Sequence, residues 1–250
     1  MSRISVAEAA ERLGVNVQRV HQRIADGSLA AERIGRQWTL DDADVARLGR
    51  RPTGRPLSSR SAWAMVSVTA GAGAAHLTAV ERSRARTRVR QLLAEAVRLD
   101  DGPADEEAAV ALAASLRSLL GGRAQRRLFR VSPRDLPDLR DDERVRLSGV
   151  SLAASGIASG DVVEGYVRED LVESLVDHFL LVEAGHREAD VVLHVVGPGA
   201  GADPEIDTAG WLLLAADLAE HHRPRETARA VQVVREAAGQ DAGRDVPEVR

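Results

Sequence analysis

The sequence predicts an α+β protein in which a helical first part is followed by a part containing both strands and helices. Up to about residue 120, apolar residues recur every three or four positions, which is the spacing of amphipathic helices. Beyond that point, short runs of β-branched residues alternate with helical patterns. A third observation is the stretch 32–40, where two short extended segments flank Gly35 and Arg36. It predicts a small hairpin inside the helical part.

The first predicted helix begins at Ser5 and ends near Gly14. Ser5 and Glu8 have the S-x-x-E spacing of a capping box, in which a hydroxyl and a carboxylate each accept a hydrogen bond from an otherwise unpaired amide. Gly14 stands where a left-handed residue commonly ends a helix. The apolar positions between these signals share one face, and they are Val6, Ala9, Ala10 and Leu13.

The second predicted helix has Asn16 as its N-cap, Val17, Val20 and Ile24 as apolar positions, and Asp26 and Gly27 at its end. Because only about three residues join the two helices, the second should be pushed forward, so that its outer face can enter the major groove of DNA. Arginine and amide side chains suit the edges of guanine and adenine. The candidate DNA contacts on this helix are Asn16, Gln18, Arg19, Gln22 and Arg23.

The predicted hairpin at residues 32–40 would form a wing beside these two helices. Arg33 and Arg36 are its candidate DNA contacts. Asp41 or Asp42 could cap a third helix whose apolar positions, Val45 and Leu48, would return to the core. Residues 1–49 are therefore predicted to form a winged helix-turn-helix domain.

The same region carries a family resemblance. Its features are the run from Ser5 to Val15, the pair Arg19-Val20, the spacing Ile24-x-x-Gly27-x-Leu29 and the spacing Ile34-Gly35-Arg36-x-Trp38. In this order they resemble the excisionase and MerR-type winged helix-turn-helix, over about a fifth of the chain. The resemblance implies binding of double-stranded DNA and regulation of transcription.

Length and composition limit the class of protein. With 250 residues, of which 44% are hydrophobic, the chain can bury a sizeable core and is long enough for two domains. A cytoplasmic protein without a membrane anchor is expected, since there is no export signal and no apolar run of about 20 residues. The absence of cysteine excludes disulfides, thiolate metal ligands and a thiol nucleophile.

Charge is distributed unevenly along the chain. Residues 1–98 hold 17 arginines and 9 acidic residues, whereas residues 99–250 hold 17 arginines and 29 acidic residues. A basic first part suits phosphates, and an acidic second part could face a basic protein partner.

Residues 50–57 form a predicted linker because they are rich in proline and glycine. The sequence Gly54-Arg55-Pro56 resembles part of an AT-hook, which makes Arg55 a candidate minor-groove contact. A solvated linker without such a role is the alternative.

Residues 58–122 form a predicted helical segment. Within it, Thr78 and Glu81 form a second capping box, which opens a helix reaching about Leu99. Alternate positions on a helix project to opposite sides, so the arginines of this helix cannot all touch one flat surface. One set could contact phosphates, or all could be solvated or paired charges of a structural helix. These arginines are Arg82, Arg84, Arg86, Arg88 and Arg90.

Residues 123–250 are predicted to form an acidic α+β domain that binds a partner, beginning after the pair Gly121-Gly122. Its predicted strands are residues 128–131, 145–147, 162–167, 180–182 and 191–196. Its predicted helices are residues 168–179, 208–221 and 224–238.

No motif predicts an enzyme, a cofactor or a metal site. Residues 197–202 formally match G-x-G-x-x-A, but the next helical pattern waits until Thr208, so a flexible loop is favoured over a nucleotide site. A nucleotide-using enzyme with a DNA-binding head would rest on this loop alone. His221 and His222 project to different sides of a helix, and His194 in a strand is typical of a core histidine.

Four segments of the second half carry a further resemblance, namely residues 145–150, 164–167, 191–196 and 214–219. They resemble segments of actinobacterial helix-turn-helix proteins similar to AbiE-type antitoxins. The resemblance implies a repressor of its own operon that counteracts a nucleotidyltransferase-like toxin. The alternative is a one-component MerR-like regulator whose second domain senses a small molecule. A homodimer is plausible, because two half-sites multiply affinity.

Overall fold

The computed structural model describes residues 3–13, 15–25, 29, 31–35, 37–41, 45, 57–70, 74–99, 106–157, 159–185, 188–200 and 208–244. They belong to two compact units, unit 1 (Met1–Thr53) and unit 2 (Gly54–Arg250). Both units combine helices with strands. The α+β prediction is therefore confirmed.

Unit 1 contains two helices and a three-stranded antiparallel sheet. The elements are β1 (Arg3–Ser5), α1 (Val6–Leu13), α2 (Val17–Ala25), β2 (Ala31–Ile34) and β3 (Gln37–Asp41), and the strand order is β1-β3-β2. The capping box predicted for α1 forms, since the Ser5 amide donates to a Glu8 carboxylate oxygen at 2.8 Å and the Glu8 amide donates to the Ser5 hydroxyl at 3.2 Å. The core of the unit lies between the helices and the sheet.

Two details of unit 1 were not predicted from the sequence. Strand β1 was not predicted, because three residues carry too little periodicity to reveal a strand. Asp41, offered as one of two caps for a third helix, is the last residue of β3. Of that proposed helix only Val45, which is buried, lies among the described residues. The hairpin β2–β3 forms as predicted, with Gly35 at a φ of 62° in its turn.

Unit 2 opens with three helices, α3 (Ser59–Thr69), α4 (Ala79–Arg98) and α5 (Glu106–Leu120). The predicted capping box of α4 is present: Thr78 accepts from the Glu81 amide, and Glu81 accepts from the Thr78 amide. Helix α4 buries Ala85, Val89, Leu92 and Ala96. Among the described residues, no helix combines the length and apolarity that crossing a bilayer requires.

A five-stranded sheet follows, with the order β5-β6-β8-β4-β7. Strands β6 and β8 run parallel, and the other neighbouring pairs are antiparallel. The strands are β4 (Gln125–Arg130), β5 (Arg146–Leu147), β6 (Val163–Arg168), β7 (Val182–Glu183) and β8 (Val191–Val196). The remaining helices are α6 (Leu136–Asp141), α7 (Glu169–Phe179), α8 (Trp211–Ala219) and α9 (Pro224–Arg244), with short 3-10 turns at Gly149–Ser151 and Ala153–Ser155.

The glycine pair Gly121-Gly122 does not separate two domains. A single core cluster joins Trp63 of α3 and Leu116 of α5 to Leu213 of α8. A Cβ atom at Gly122 would lie 2.3 Å from the carbonyl oxygen of Leu57, so glycine is needed there for a close backbone approach. Segments 58–122 and 123–250, predicted as separate regions, therefore belong to one compact unit.

Candidate nucleic-acid interface

Helix α2 is held in place by its cap and by its buried side. The Asn16 side-chain oxygen accepts a hydrogen bond from the Arg19 amide at 2.8 Å, which is the predicted N-cap. Val20 is fully buried in the core of unit 1, and Ile24 is partly buried beside it. Val17, predicted to face inward, is instead 44% exposed. One side of α2 is thus anchored while the other faces solvent.

The solvent-facing side of α2 brings together most of the candidate DNA contacts. A shallow, open depression of about 590 Å³ is lined by Asn16, Gln18, Arg19, His21 and Gln22. All five residues are exposed. His21 was missed in the sequence analysis, although its position among polar neighbours on this short helix was a usable signal. Arg23 differs from the others because it is only partly exposed.

The hairpin supplies one further candidate. Arg33 on β2 is exposed, and its guanidinium carbon lies 5.9 Å from the centre of the Trp38 ring on β3. The acidic neighbour Glu32 pairs with Arg3, whose hydrogen bond lowers the pKa of the Glu32 carboxyl. Arg36 and Arg55, the other two candidates, lie outside the described residues.

The electrostatics of α2 favour an anionic ligand. The helix carries Arg19 and Arg23 and has no acidic residue between Val17 and Ala25. Its exposed face therefore offers guanidinium, amide and imidazole groups. Arginine can bind guanine in a bidentate manner, and asparagine or glutamine can do the same with adenine. These side chains are of the kinds that can form hydrogen bonds with base edges.

A second concentration of polar side chains is buried in unit 2 and was not predicted as a group. Arg123 donates to Asp217 and to the Tyr166 hydroxyl, each at 2.6 Å, and it also pairs with Glu220. Tyr166 in turn donates to Asp217 at 2.6 Å. Burial raises the pKa of the Tyr166 hydroxyl well above its ordinary value, so this group remains a donor.

Glu164 forms the other half of this buried network. One carboxylate oxygen lies 2.9 Å from Nε2 of His194, and the other lies 2.8 Å from Nε2 of His221. Burial by itself raises the pKa of Glu164, but the hydrogen bonds of the two histidines outweigh this effect and hold the pKa well below its usual range. His194 is 1% exposed, so the prediction of a satisfied core histidine is confirmed.

The buried network ties the sheet to helix α8 and the turn that follows it. His194 and Glu164 come from the parallel strands β8 and β6, whereas Asp217 belongs to α8. His221 lies just beyond that helix and keeps only 9% of its side chain exposed. Within the described part of the chain, no group of three histidine or carboxylate side chains could hold a metal ion. The arrangement is that of an internal ionic brace.

The glycine-rich stretch after β8 lies beside a small cavity. Residues 197–200 form a turn in which Gly199 has a φ of 77°, and the next described helix begins at Trp211. The cavity measures about 300 Å³ and opens near the carboxyl ends of β6 and β8, where Gln125 and Glu169 contribute polar groups to its wall.

Comparison with known proteins assigns no family to this chain. No protein-family model, no curated protein and no solved structure matches it. Function is therefore inferred from the chemistry of α2, the hairpin and unit 2 themselves.

Proposed function

We propose that unit 1 is a winged helix-turn-helix that binds double-stranded DNA and that the chain is a sequence-specific transcriptional regulator. The observation that carries this proposal is the two-sided nature of α2. Val20 anchors one side in the core, while Asn16, Gln18, Arg19 and Gln22 are exposed together on the other. A helix of about 10–12 Å in diameter fits a major groove about 12 Å wide.

Within this proposal the side chains have different roles. Arg19 and Gln22 are three positions apart and therefore neighbours on the helix surface, so they are assigned to base edges. Arg33 on the hairpin is assigned to the phosphate backbone or the adjacent minor groove. Arg23, which is partly buried, is assigned to positioning α2 against a phosphate and not to a base. Arg36 and Arg55 remain candidate contacts from the sequence.

The proposal is tested by selecting a preferred duplex from a random library with the full chain. The affinity of Arg19→Ala and Gln22→Ala variants for that duplex is then measured by fluorescence anisotropy. Each variant should lose about 1–3 kcal/mol of binding free energy. Arg134→Ala, which removes an exposed arginine from unit 2, is the control and should bind normally. Failure to enrich any duplex, or unchanged binding by both α2 variants, would refute the proposal.

The regulatory part of the proposal is that unit 2 engages a protein partner and that the chain acts as an antitoxin. It is supported by the resemblance of residues 145–150, 164–167, 191–196 and 214–219 to segments of helix-turn-helix proteins similar to AbiE-type antitoxins, and by the acidic excess of residues 99–250. The full chain is used as bait in a lysate of the source cell. Stoichiometric recovery of a nucleotidyltransferase-like protein is expected, and recovery of the chain alone would count against an antitoxin.

A small-molecule sensor is the second candidate function, and the cavity in unit 2 favours it. Its volume of about 300 Å³ lies at the lower end of the range for ligand pockets, about 300–1,000 Å³. Gln125 and Glu169 would select a small polar ligand. Under this alternative, a compound found by thermal-shift screening stabilises the full chain, changes its affinity for DNA, and loses its effect in Gln125→Leu.

A further inference from the structure

We propose that helix α4 of unit 2 is a second duplex-binding surface, which lies in a groove and contacts phosphates on both sides of it. The inference extends the proposed function, on which it rests for the identity of the ligand. The inference gives a role to the arginine-rich helix α4, which is not part of the interface proposed for unit 1.

The orientation of α4 leaves one long face open to solvent. Its buried residues, Ala85, Val89, Leu92 and Ala96, define the side that packs into the core. With about 100° between successive residues, the opposite side is centred on Ser83, Thr87 and Ala94. These three residues are exposed and small. Between Ser83 and Ala94 the crest of the helix is therefore narrow, whereas the exposed Val80 and Arg98 project close to the same line toward the two ends of the helix.

Three arginines flank this crest and are exposed. Arg84 lies on one side, and Arg86 and Arg90 lie on the other. Among the described residues, none of the three pairs with a carboxylate, in contrast to Arg82, which donates to the backbone carbonyls of Ala74 and Leu77. Arg88 is only partly exposed. The flanks therefore carry three cations that are available to a ligand.

Within the described part of the chain, nearby carboxylates do not neutralise these cations. Glu81 is held by its capping box and by Arg60. Glu95 accepts a hydrogen bond from Ser115 of α5 and lies beyond the arginine run. Between them the helix has no acidic residue. From Arg82 to Ala94, α4 therefore carries basic residues and no acidic residue, within a unit whose overall composition is acidic.

The positions of the arginines around the helix determine which shape of ligand can contact all of them. Around the helix axis, Arg84 lies about 160° from Arg86 and about 120° from Arg90, so a flat anionic surface could not contact all three at once. A groove about 12 Å wide places phosphates on both sides of a helix whose crest is small enough to enter it. The opposed arginines, which cannot share one flat surface, can thus share one duplex. This geometry favours duplex DNA over a membrane.

The test uses the full chain and a duplex of about 30 base pairs that lacks any selected site. The triple variant Arg84→Ala, Arg86→Ala, Arg90→Ala is compared with the control Arg130→Ala, Arg134→Ala, Arg146→Ala, which removes three exposed arginines from elsewhere in unit 2. Alanine preserves the helix, and circular dichroism melts verify folding. The α4 variant should weaken binding by about tenfold or more at 0.1 M salt and reduce the salt slope by about 2–3, whereas the control should not.

Repeating the comparison in an Arg19→Ala, Gln22→Ala background separates this inference from the proposed function. If α2 plays no part in binding, the α4 variant still weakens binding to the duplex, and only the proposed function fails. Equal losses in the α4 variant and its control, or no loss in either, would overturn the inference. So would binding to vesicles containing phosphatidylserine that depends on α4 while duplex binding does not.

Discussion

Replacing Arg123 by methionine should cause a large loss of stability in unit 2. The Arg123 side chain is 1% exposed and donates to Asp217, Tyr166, Glu220 and the carbonyl of Leu120. Methionine preserves most of the aliphatic stem, so the change removes the charge and its hydrogen bonds while creating little empty volume. It leaves the buried carboxylate of Asp217 without its cation.

The expected loss is about 3–5 kcal/mol, which is typical when one partner is removed from a buried ion pair. Domains of ordinary stability have a free energy of unfolding of about 5–15 kcal/mol, so the variant should be close to the limit of folding. One oxygen of Asp217 already has no hydrogen-bond partner among the described residues. In the variant, the hydrogen bond from the Tyr166 hydroxyl would remain, but the carboxylate would have lost the cation that balances its charge.

The loss of stability caused by Arg123→Met should also depend on pH. Burial raises the pKa of Asp217, and the charge of Arg123 opposes that rise. Without Arg123 the pKa rises further, so the folded variant binds a proton that the unfolded chain releases above about pH 3.9. The destabilisation is therefore smallest at acidic pH and grows as pH rises toward neutrality, by at most about 1.4 kcal/mol per pH unit.

Urea unfolding monitored by tryptophan fluorescence measures this effect. In a Trp38→Phe background the remaining tryptophans, Trp63 and Trp211, both report on unit 2. The control is Arg127→Met, because Arg127 is 33% exposed and its partner Glu183 is 74% exposed, so this pair should contribute about 0–1 kcal/mol. A loss for Arg123→Met no larger than that of the control, or one that does not change between pH 5 and 8, would refute the account of a buried ionic brace.

Three further predictions concern single positions. Glu164→Gln should lower the free energy of unfolding by about 2–3 kcal/mol near neutral pH. In urea unfolding, this difference between the variant and the unchanged protein should shrink as pH falls below about 4. The reason is that the depressed pKa of Glu164 stabilises the fold fully above the ordinary carboxyl pKa and progressively less as pH falls below it. Gly149→Ala should lower the melting temperature of unit 2, since its Cβ would lie 1.9 Å from a Glu164 oxygen and its φ of 51° is strained for alanine. Gly160→Ala, with open space around it, should melt normally. Asn16→Ala should lower the stability of unit 1 by about 1 kcal/mol through loss of the α2 cap, measured by urea unfolding followed at Trp38.

Features determined by neighbouring residues could be predicted from the sequence. Both capping boxes, Ser5 with Glu8 and Thr78 with Glu81, form between the expected partners. The strand Val191–Val196 has the predicted bounds, because six consecutive buried residues of high β propensity leave little choice of structure. Such signals are complete within a few residues, so no knowledge of the tertiary fold is required to interpret them.

Features that depend on distant contacts could not be predicted. The glycine pair at 121–122 has the composition of a boundary, and only the approach of Leu57 shows why glycine is needed there. Strand β7 begins at Val182, two residues after the predicted start, because Leu180 takes a left-handed φ of 51° at the end of α7. Arg123 and Asp217 are far apart in the sequence, and neither has a local pattern that marks it as a partner of the other.

At the candidate site, the periodicity of the apolar residues predicted helix α2 but not the exposure of every side chain on it. Gln18, Arg19 and Gln22 lie on one exposed face, as the apolar spacing of α2 implied. The partial burial of Arg23 was not predicted, since a helical wheel shows only direction and not how far the neighbouring elements reach. His21 was not predicted, because an imidazole lacks the paired donors and acceptors with which arginine and amide side chains suit guanine and adenine.

The buried network also changes how the charge of the second half should be interpreted. Glu164, Asp217 and Glu220 contribute to the negative count of residues 99–250, yet they are buried or nearly so and are paired with Arg123 or with histidines. They cannot attract a basic partner. A docking surface for such a partner requires exposed carboxylates, and those on and beside α6 and α7 satisfy this condition. The charges of unit 2 thus fall into three groups: a buried ionic network, exposed acidic helices and the cationic helix α4. Its net charge therefore does not by itself predict what kind of partner it would bind.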